Sequence, residues 1–187
     1  MPPRPEGQQV RRPPAPARYA PDRDFPRYRH RLGQTPHPRT DPEGHSWGSP
    51  EPESPPLTHD NWRRHEAWLF GIDLFNQGYW WEAHEWWEAA WHATQDKAIG
   101  HLLQGLIQLA AAWLKWEEGN RKGRRGLWRR GRDHLLAATT EGSSLAGLDV
   151  ACVVDGMDRL FSHNAVRPDP AVTQDLPRLS LSPDSGP

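Results

Sequence analysis

The chain has 187 residues, with 23 Lys and Arg against 24 Asp and Glu, 20 Pro, 16 Gly, 11 Trp and one Cys. This length allows one domain with tails; the formal charge of −1 argues against whole-protein adsorption to nucleic acid or an anionic membrane, though not against a local patch. A single cysteine excludes an intrachain disulfide framework and a cysteine-based zinc cage, and no run approaches the ~20 consecutive apolar residues of a membrane span.

The expectation is a soluble cytoplasmic protein without a membrane partner, since the first residues lack the apolar run of a signal peptide. Composition divides the chain sharply. Fifteen of the 20 prolines lie in residues 1–56 and none between Leu57 and Arg167. Residues 1–58 carry charge of both signs and almost no aliphatic side chains, so they are expected to form a disordered arm with polyproline II character. Residues 164–187 read as a similar tail.

The helical domain is expected over residues 59–163, where the apolar period is that of helices. Thr58 to Asn61 offers caps for a first helix running to about Asn76, and Gln77-Gly78 ends it. A second helix is expected over about Tyr79–Thr94 and a third over about Lys97–Glu118, closed by Gly119-Asn120. A fourth covers Arg121 to about Thr140, weakened by Gly123, Gly126 and Gly131 at roughly 1 kcal/mol each relative to Ala. A last short helix covers about Leu148–Ser162, and Cys152, set in the run Val150-Ala151-Cys152-Val153-Val154, reads as a packing residue. Short connections imply antiparallel neighbours, so the fold class is all-α: two antiparallel helical hairpins plus a short terminal helix.

The two breaks share a frame. Gly78 precedes Ala83, Trp86, Trp87 and Ala90 at the offsets by which Gly119 precedes Arg124, Leu127, Trp128 and Gly131, 41 residues later. The first half resembles a tetratricopeptide helical hairpin, although the period exceeds 34 residues and Arg124 stands where a small residue is expected. The run from Asn76 through Glu85, then Leu103 through Gln108, then Gly119-Asn120, also resembles domain-of-unknown-function family 309, a group of uncharacterised prokaryotic proteins. That resemblance, over about residues 66–138, implies a compact helical bundle and no particular activity.

On a helical wheel the second helix has two faces. Trp80, Ala83, Trp86, Trp87 and Ala90 form the expected core side; Trp81, His84, Glu85, Glu88, Trp91 and His92 form the other. The third helix carries a polar stripe of His101, Gln104, Gln108 and Lys115. If the polar stripes face each other, Glu82, His84, Glu85, Glu88, Trp91, Gln104 and Gln108 line a groove for a protein or small polar ligand between tryptophan walls, or else tie the helices together as a structural network. His84, Glu88 and His92, spaced i, i+4, i+8, suit a metal ion, and a metal-dependent hydrolase using His84, Glu85 and Glu88 is the alternative to a non-enzymatic binding module. The fourth helix presents Arg121, Arg125, Arg129 and Arg132 in one stripe, a pattern that attracts nucleic-acid phosphates. Five tryptophans in residues 80–91 exceed what one helix face can bury, so some are expected at a pocket or partner interface. The residues leave the cofactor and the oligomeric state open.

Overall fold

Both glycines that break the helical period adopt the left-handed backbone, Gly78 at φ 81° and Gly119 at φ 72°. Each closes a helix in the same way. After α1 (Glu66–Asn76), the Tyr79 N–H donates to Leu74 O at 2.9 Å and the Gly78 N–H to Phe75 O at 3.0 Å. After α3 (Lys97–Glu117), the Asn120 N–H donates to Lys115 O at 2.8 Å and the Gly119 N–H to Trp116 O at 2.9 Å. These are paired 6→1 and 5→2 closures that a residue with a Cβ adopts only under strain. Each turn sends the chain back at once into α2 (Trp80–Ala93) and α4 (Arg121–Ala138). Asn120 serves twice, since its side chain also caps α4 by accepting from Gly123 N at 2.8 Å.

The structure, a computed structural model, describes residues 18–139, 143–162 and 178–182. It has the all-α character expected: α1 packs on α2, α2 on α3 and α3 on α4. A two-stranded ribbon, β1 (Ser144–Leu145) antiparallel to β2 (Leu148–Asp149), leads into α5 (Val150–Ser162). Among the described residues, no helix is long and apolar enough to cross a membrane. Trp113 of α3 is the hub of the core. Its ring stacks on Trp80 at 5.0 Å and meets Trp116 at 4.7 Å and Phe161 at 5.6 Å. Helix α5 joins through Val150, Val153, Val154, Met157 and Phe161, the i, i+3, i+4, i+7 face. Cys152 lies off that face and is exposed, correcting its reading as a packing residue.

The first helix starts later than its caps suggested. Thr58 and Asn61 bond each other, Thr58 N–H to Asn61 Oδ1 at 2.9 Å and Asn61 N–H to Thr58 Oγ1 at 3.2 Å. They open a single 3₁₀ turn, Trp62–Arg64. The cap of α1 is His65, whose Nδ1 accepts from Trp68 N at 3.2 Å while its Nε2 donates to Pro55 O at 2.9 Å.

Glycines in the helices mark close approaches. A Cβ on Gly71 would lie 2.2 Å from Trp87 Nε1, so only glycine admits that indole between α1 and α2. A Cβ on Gly131 would lie 3.0 Å from both Gly105 O and Gln108 Cβ, and one on Gly105 would meet Leu135 at 2.6 Å, so this glycine pair sets the α3–α4 distance. Gly131 therefore trades helix propensity for packing. Arg124, in the small-residue position of the second hairpin, is 5 % exposed, with its guanidinium over Trp116 and Phe161 at 5.6 and 5.3 Å. Burial, together with Arg121 and Arg125, pushes its pKa below the usual arginine value.

The Pro-rich segment departs from its reading as a disordered arm wherever it is described. Residues 1–17 lie outside the described residues, but 18–58 follow a defined path over α1 and α2. The reason is polar anchoring rather than aliphatic burial. The Asp73 carboxylate, 4 % exposed on α1, accepts from Tyr19 N at 2.9 Å and Ala20 N at 2.8 Å. Glu82 of α2, 3 % exposed, accepts at Oε1 from His30 N at 2.8 Å and His45 Nε2 at 2.9 Å. Phe25 stacks on Tyr79 at 5.3 Å and on Phe70 at 6.1 Å. This layer explains why α1 is buried nearly all round. Of the expected tail, residues 178–182 dock beside the ribbon, and 164–177 and 183–187 lie outside the described residues.

Two outcomes check this account. Gly126→Ala is expected to stabilise by about 0.5–1 kcal/mol, because a Cβ there meets only Arg130 Nη1 at 3.7 Å, whereas Gly131→Ala is expected to destabilise despite its better propensity. Opposite signs in chemical denaturation would confirm the assignment. Glu82→Ala is expected to cost roughly 3 kcal/mol and to open residues 30–45 to limited proteolysis, because it strands buried donors.

Candidate functional site

The face of α2 that looks away from the core is set by its neighbours. Ala83, Trp87 and Ala90 point inward and are fully buried, which turns His84, Glu85 and Glu88 outward on the next strip of the wheel. All three are half-buried. One donor atom from each lies within 4.8 Å of the others, a spacing that can hold a metal ion. His84 Nε2 is 3.7 Å from Glu88 Oε2, close to the ~3.4 Å edge of a tetrahedron with donors ~2.1 Å from its centre. His92, exposed one turn further, reaches Glu88 Oε1 at 4.0 Å, at the rim of the cluster.

His84 is held from behind. Its Nδ1 donates to Ile107 O at 3.4 Å, a long contact that ties the ring to α3 and leaves Nε2 turned toward Glu88. A ring nitrogen donating to a carbonyl while the other is presented outward is the usual orientation of a metal-ligating imidazole.

The opposite wall is the docked N-terminal segment. Residues 50–54 run beside α2 and enclose an open cleft of about 650 Å³, with Glu51 and Glu53 on one side and Glu85, Glu88 and His92 on the other. Burial pushes the Glu85 carboxyl above its ordinary value; Glu88 adds to this, Glu51 and Glu82 push the same way, and Arg39 opposes them. The cleft is thus a concentration of negative potential beside an imidazole, an arrangement that favours a cation.

Several expected members fall elsewhere. Glu82 is turned into the interior, where it holds His30 and His45, and its Oε2 is buried without a hydrogen-bond partner among the described residues. The amide stripe of α3 faces α4 rather than α2: Gln108 Oε1 accepts from Arg130 Nε at 3.4 Å, and Gln104 lies one turn back on the same face. On that seam His101 Nδ1 and His134 Nδ1 are 2.9 Å apart. The amides therefore do not line a groove with His84, and the open cleft beside α2 is bounded by residues 50–54 instead. Trp91 remains half-buried beside His92, at 4.9 Å between rings.

The surplus of tryptophan on α2 is accounted for by the arm. Trp81 is edged by His30, His37 and His45 at 5.7, 5.5 and 6.3 Å. Trp86, expected in the core, is half-buried, edge-on to Phe70 at 5.3 Å with the Arg23 guanidinium at 5.6 Å. The basic stripe of α4 is shortened. Arg121, Arg125 and Arg129 are exposed, but Arg132 Nε donates to Asp158 Oδ2 at 2.7 Å, the carboxylate that also accepts from Trp128 Nε1 at 2.8 Å.

Sequence reasoning missed Glu51 and Glu53, which sit in the Pro-rich segment. Their signal was an acidic Glu-Pro-Glu run just ahead of the helical domain, with nothing in the sequence to say which surface it would meet.

These features define a helical-hairpin domain with an acidic, histidine-bearing face. The model of a family described as domain of unknown function (DUF309) matches residues 68–127, which contain all three motif elements and the whole His84–Glu88 cluster. The family resembled by the motifs is the one found. No curated protein matches the chain.

The raised Glu85 carboxyl gives a signed expectation. The folded state binds more protons than the unfolded chain between the ordinary value of 4.5 and the raised one, so stability falls as pH rises through that window and stays lower above it. Glu85→Gln is expected to raise Tm at pH 7–8 and to leave it unchanged near pH 3, well below the ordinary value of 4.5, where both states are protonated. Thermal melts at the two pH values check the sign.

Proposed function

We propose that this domain is a binding module whose site is the His84–Glu85–Glu88 face of α2, occupied by a divalent cation of the zinc or manganese class. The observation that carries this is the convergence of one imidazole and two carboxylates within 4.8 Å on an accessible surface. Mixed nitrogen and carboxylate donors suit these ions better than an all-oxygen set suits zinc or a thiolate set suits manganese. His92 and the acidic wall at Glu51 and Glu53 would attract the ion, and the cleft leaves room beside it for a small polar ligand. A protein surface reading of Trp91 is compatible with the same site, because that ring borders it.

A hydrolytic role for the same three residues is the second reading. It is supported by the placing of Glu85 beside the His84–Glu88 pair: with those two holding the ion, Glu85, whose carboxyl is pushed above its ordinary value by burial, is the group suited to take a proton from a water held there. The basic stripe of α4 supports nucleic-acid binding less well, since three exposed arginines remain of the four expected.

Titration calorimetry of the full chain with Zn²⁺ and with Mn²⁺ tests the proposal. One equivalent is expected to bind with a Kd in the micromolar range or tighter. His84→Ala and Glu88→Ala are each expected to weaken binding at least about tenfold with helicity unchanged. Absence of stoichiometric binding, or equal binding by both variants, would sink it.

A further inference from the structure

The segment at residues 178–182 occupies a groove made by three separate parts of the chain. The Asn76 side chain pairs with the backbone of Leu179 in both directions: Nδ2 donates to Leu179 O and Oδ1 accepts from Leu179 N, each at 2.8 Å. The Tyr19 hydroxyl accepts from Leu181 N at 2.8 Å. Ser182 N donates to Gly147 O at 2.8 Å, and Leu181 makes a single antiparallel bridge to Leu148, so the segment docks against the edge of the β1–β2 ribbon. The Leu179 side chain is 1 % exposed, while Ser180 and Ser182 face outward. The mode resembles strand addition: main-chain groups supply the hydrogen bonds, and buried Leu179 with half-buried Leu181 two positions on supplies register.

We propose that this groove also takes residues 178–182 of a second copy of the chain, through the same contacts as its own, giving a strand-exchanged dimer. Nothing in the groove depends on which chain supplies the strand, because Tyr19, Asn76, Gly147 and Leu148 read only backbone and two leucines. The length of the connection permits the exchange. Fifteen residues, 163–177, separate α5 from the strand. Fully extended they span up to about 50 Å, against a radius of gyration of about 13 Å for a domain of this size. Exchange keeps every contact of the closed form, so the balance rests on chain connection and protein concentration. Covering the ribbon also matters to each copy, because a two-stranded ribbon alone is marginal and its free edge is a template for pairing. The inference is independent of the cation site, which lies on α2.

Complementation tests it with full-length chains. Asn76→Ala breaks the groove and leaves the strand intact; Leu179→Asp breaks the strand and leaves the groove intact. Each variant alone is expected to be monomeric by light scattering at about 0.5 mM. The equimolar mixture is expected to form a 1:1 heterodimer with more than about half the protein associated, because the competing intramolecular strand, at an effective concentration in the millimolar range, is then absent. Wild-type chain should show a smaller dimer fraction that rises with concentration. If Asn76→Ala lowers helicity, Tyr19→Ala serves as the second groove variant. A mixture that remains monomeric would overturn the proposal. So would binding of a synthetic 177–182 peptide to the Leu179→Asp chain without heterodimer formation, since the groove would then be open but out of reach of a second copy.

Discussion

The buried carboxylate of Glu82 is the point on which the outer layer of this molecule depends. It accepts a backbone N–H from His30 and a ring N–H from His45, two groups 15 positions apart in a segment rich in proline. A carboxylate withdrawn from water is tolerable only when donors replace its hydration. The helix supplies the charge and the arm supplies the donors. Once residues 30 and 45 are fixed, the chain between them covers Trp81, and the chain beyond them runs along α2 as the far wall of the acidic cleft. The surface chemistry of α2 is thus shaped by a contact on its buried side.

The inner architecture has a different logic, that of a repeated turn. Gly78 and Gly119 close their helices with the same hydrogen bonds, and the helices they join form two hairpins that share the α2–α3 seam. The repeat is not maintained in side-chain packing. Where the first hairpin has Ala83, fully buried, the second has Arg124, whose guanidinium lies against Trp116 and Phe161. Close approach in the second pair passes instead to Gly105 and Gly131. Backbone geometry has been kept while the means of achieving helix contact has shifted by about two turns.

The helices were legible because their signals are local. Periodicity and the two Gly turns place α1 to α4 within a few residues, and the outward set on α2 follows from the inward set. What was not legible is long-range. Composition marked residues 1–58 as unable to bury apolar surface on their own; the path of residues 18–58 depends on Asp73 and Glu82, two carboxylates whose burial no local rule predicts. The surplus of tryptophan on α2 was the available clue, since rings such as Trp81 and Trp86 that find no room in a helical core need another layer to cover them. The facing of α3 was missed for a related reason. Gln104 and Gln108 read as partners for His84 because they are polar, but Gly131 lets α4 come so close that their stripe is drawn to Arg130 and the α4 seam.

That seam carries a chemical asymmetry of its own. A hydrogen bond between the Nδ1 atoms of His101 and His134 needs one proton, not two and not none. In the neutral pair one ring is the Nδ1–H tautomer and its neighbour the Nε2–H tautomer, although the residue type is the same. Burial, with the adjacent imidazole, pushes His134 below its ordinary value, which disfavours an added proton on that ring. The α3–α4 contact is in this sense a single-proton clasp, and two like side chains divide the roles of donor and acceptor between them.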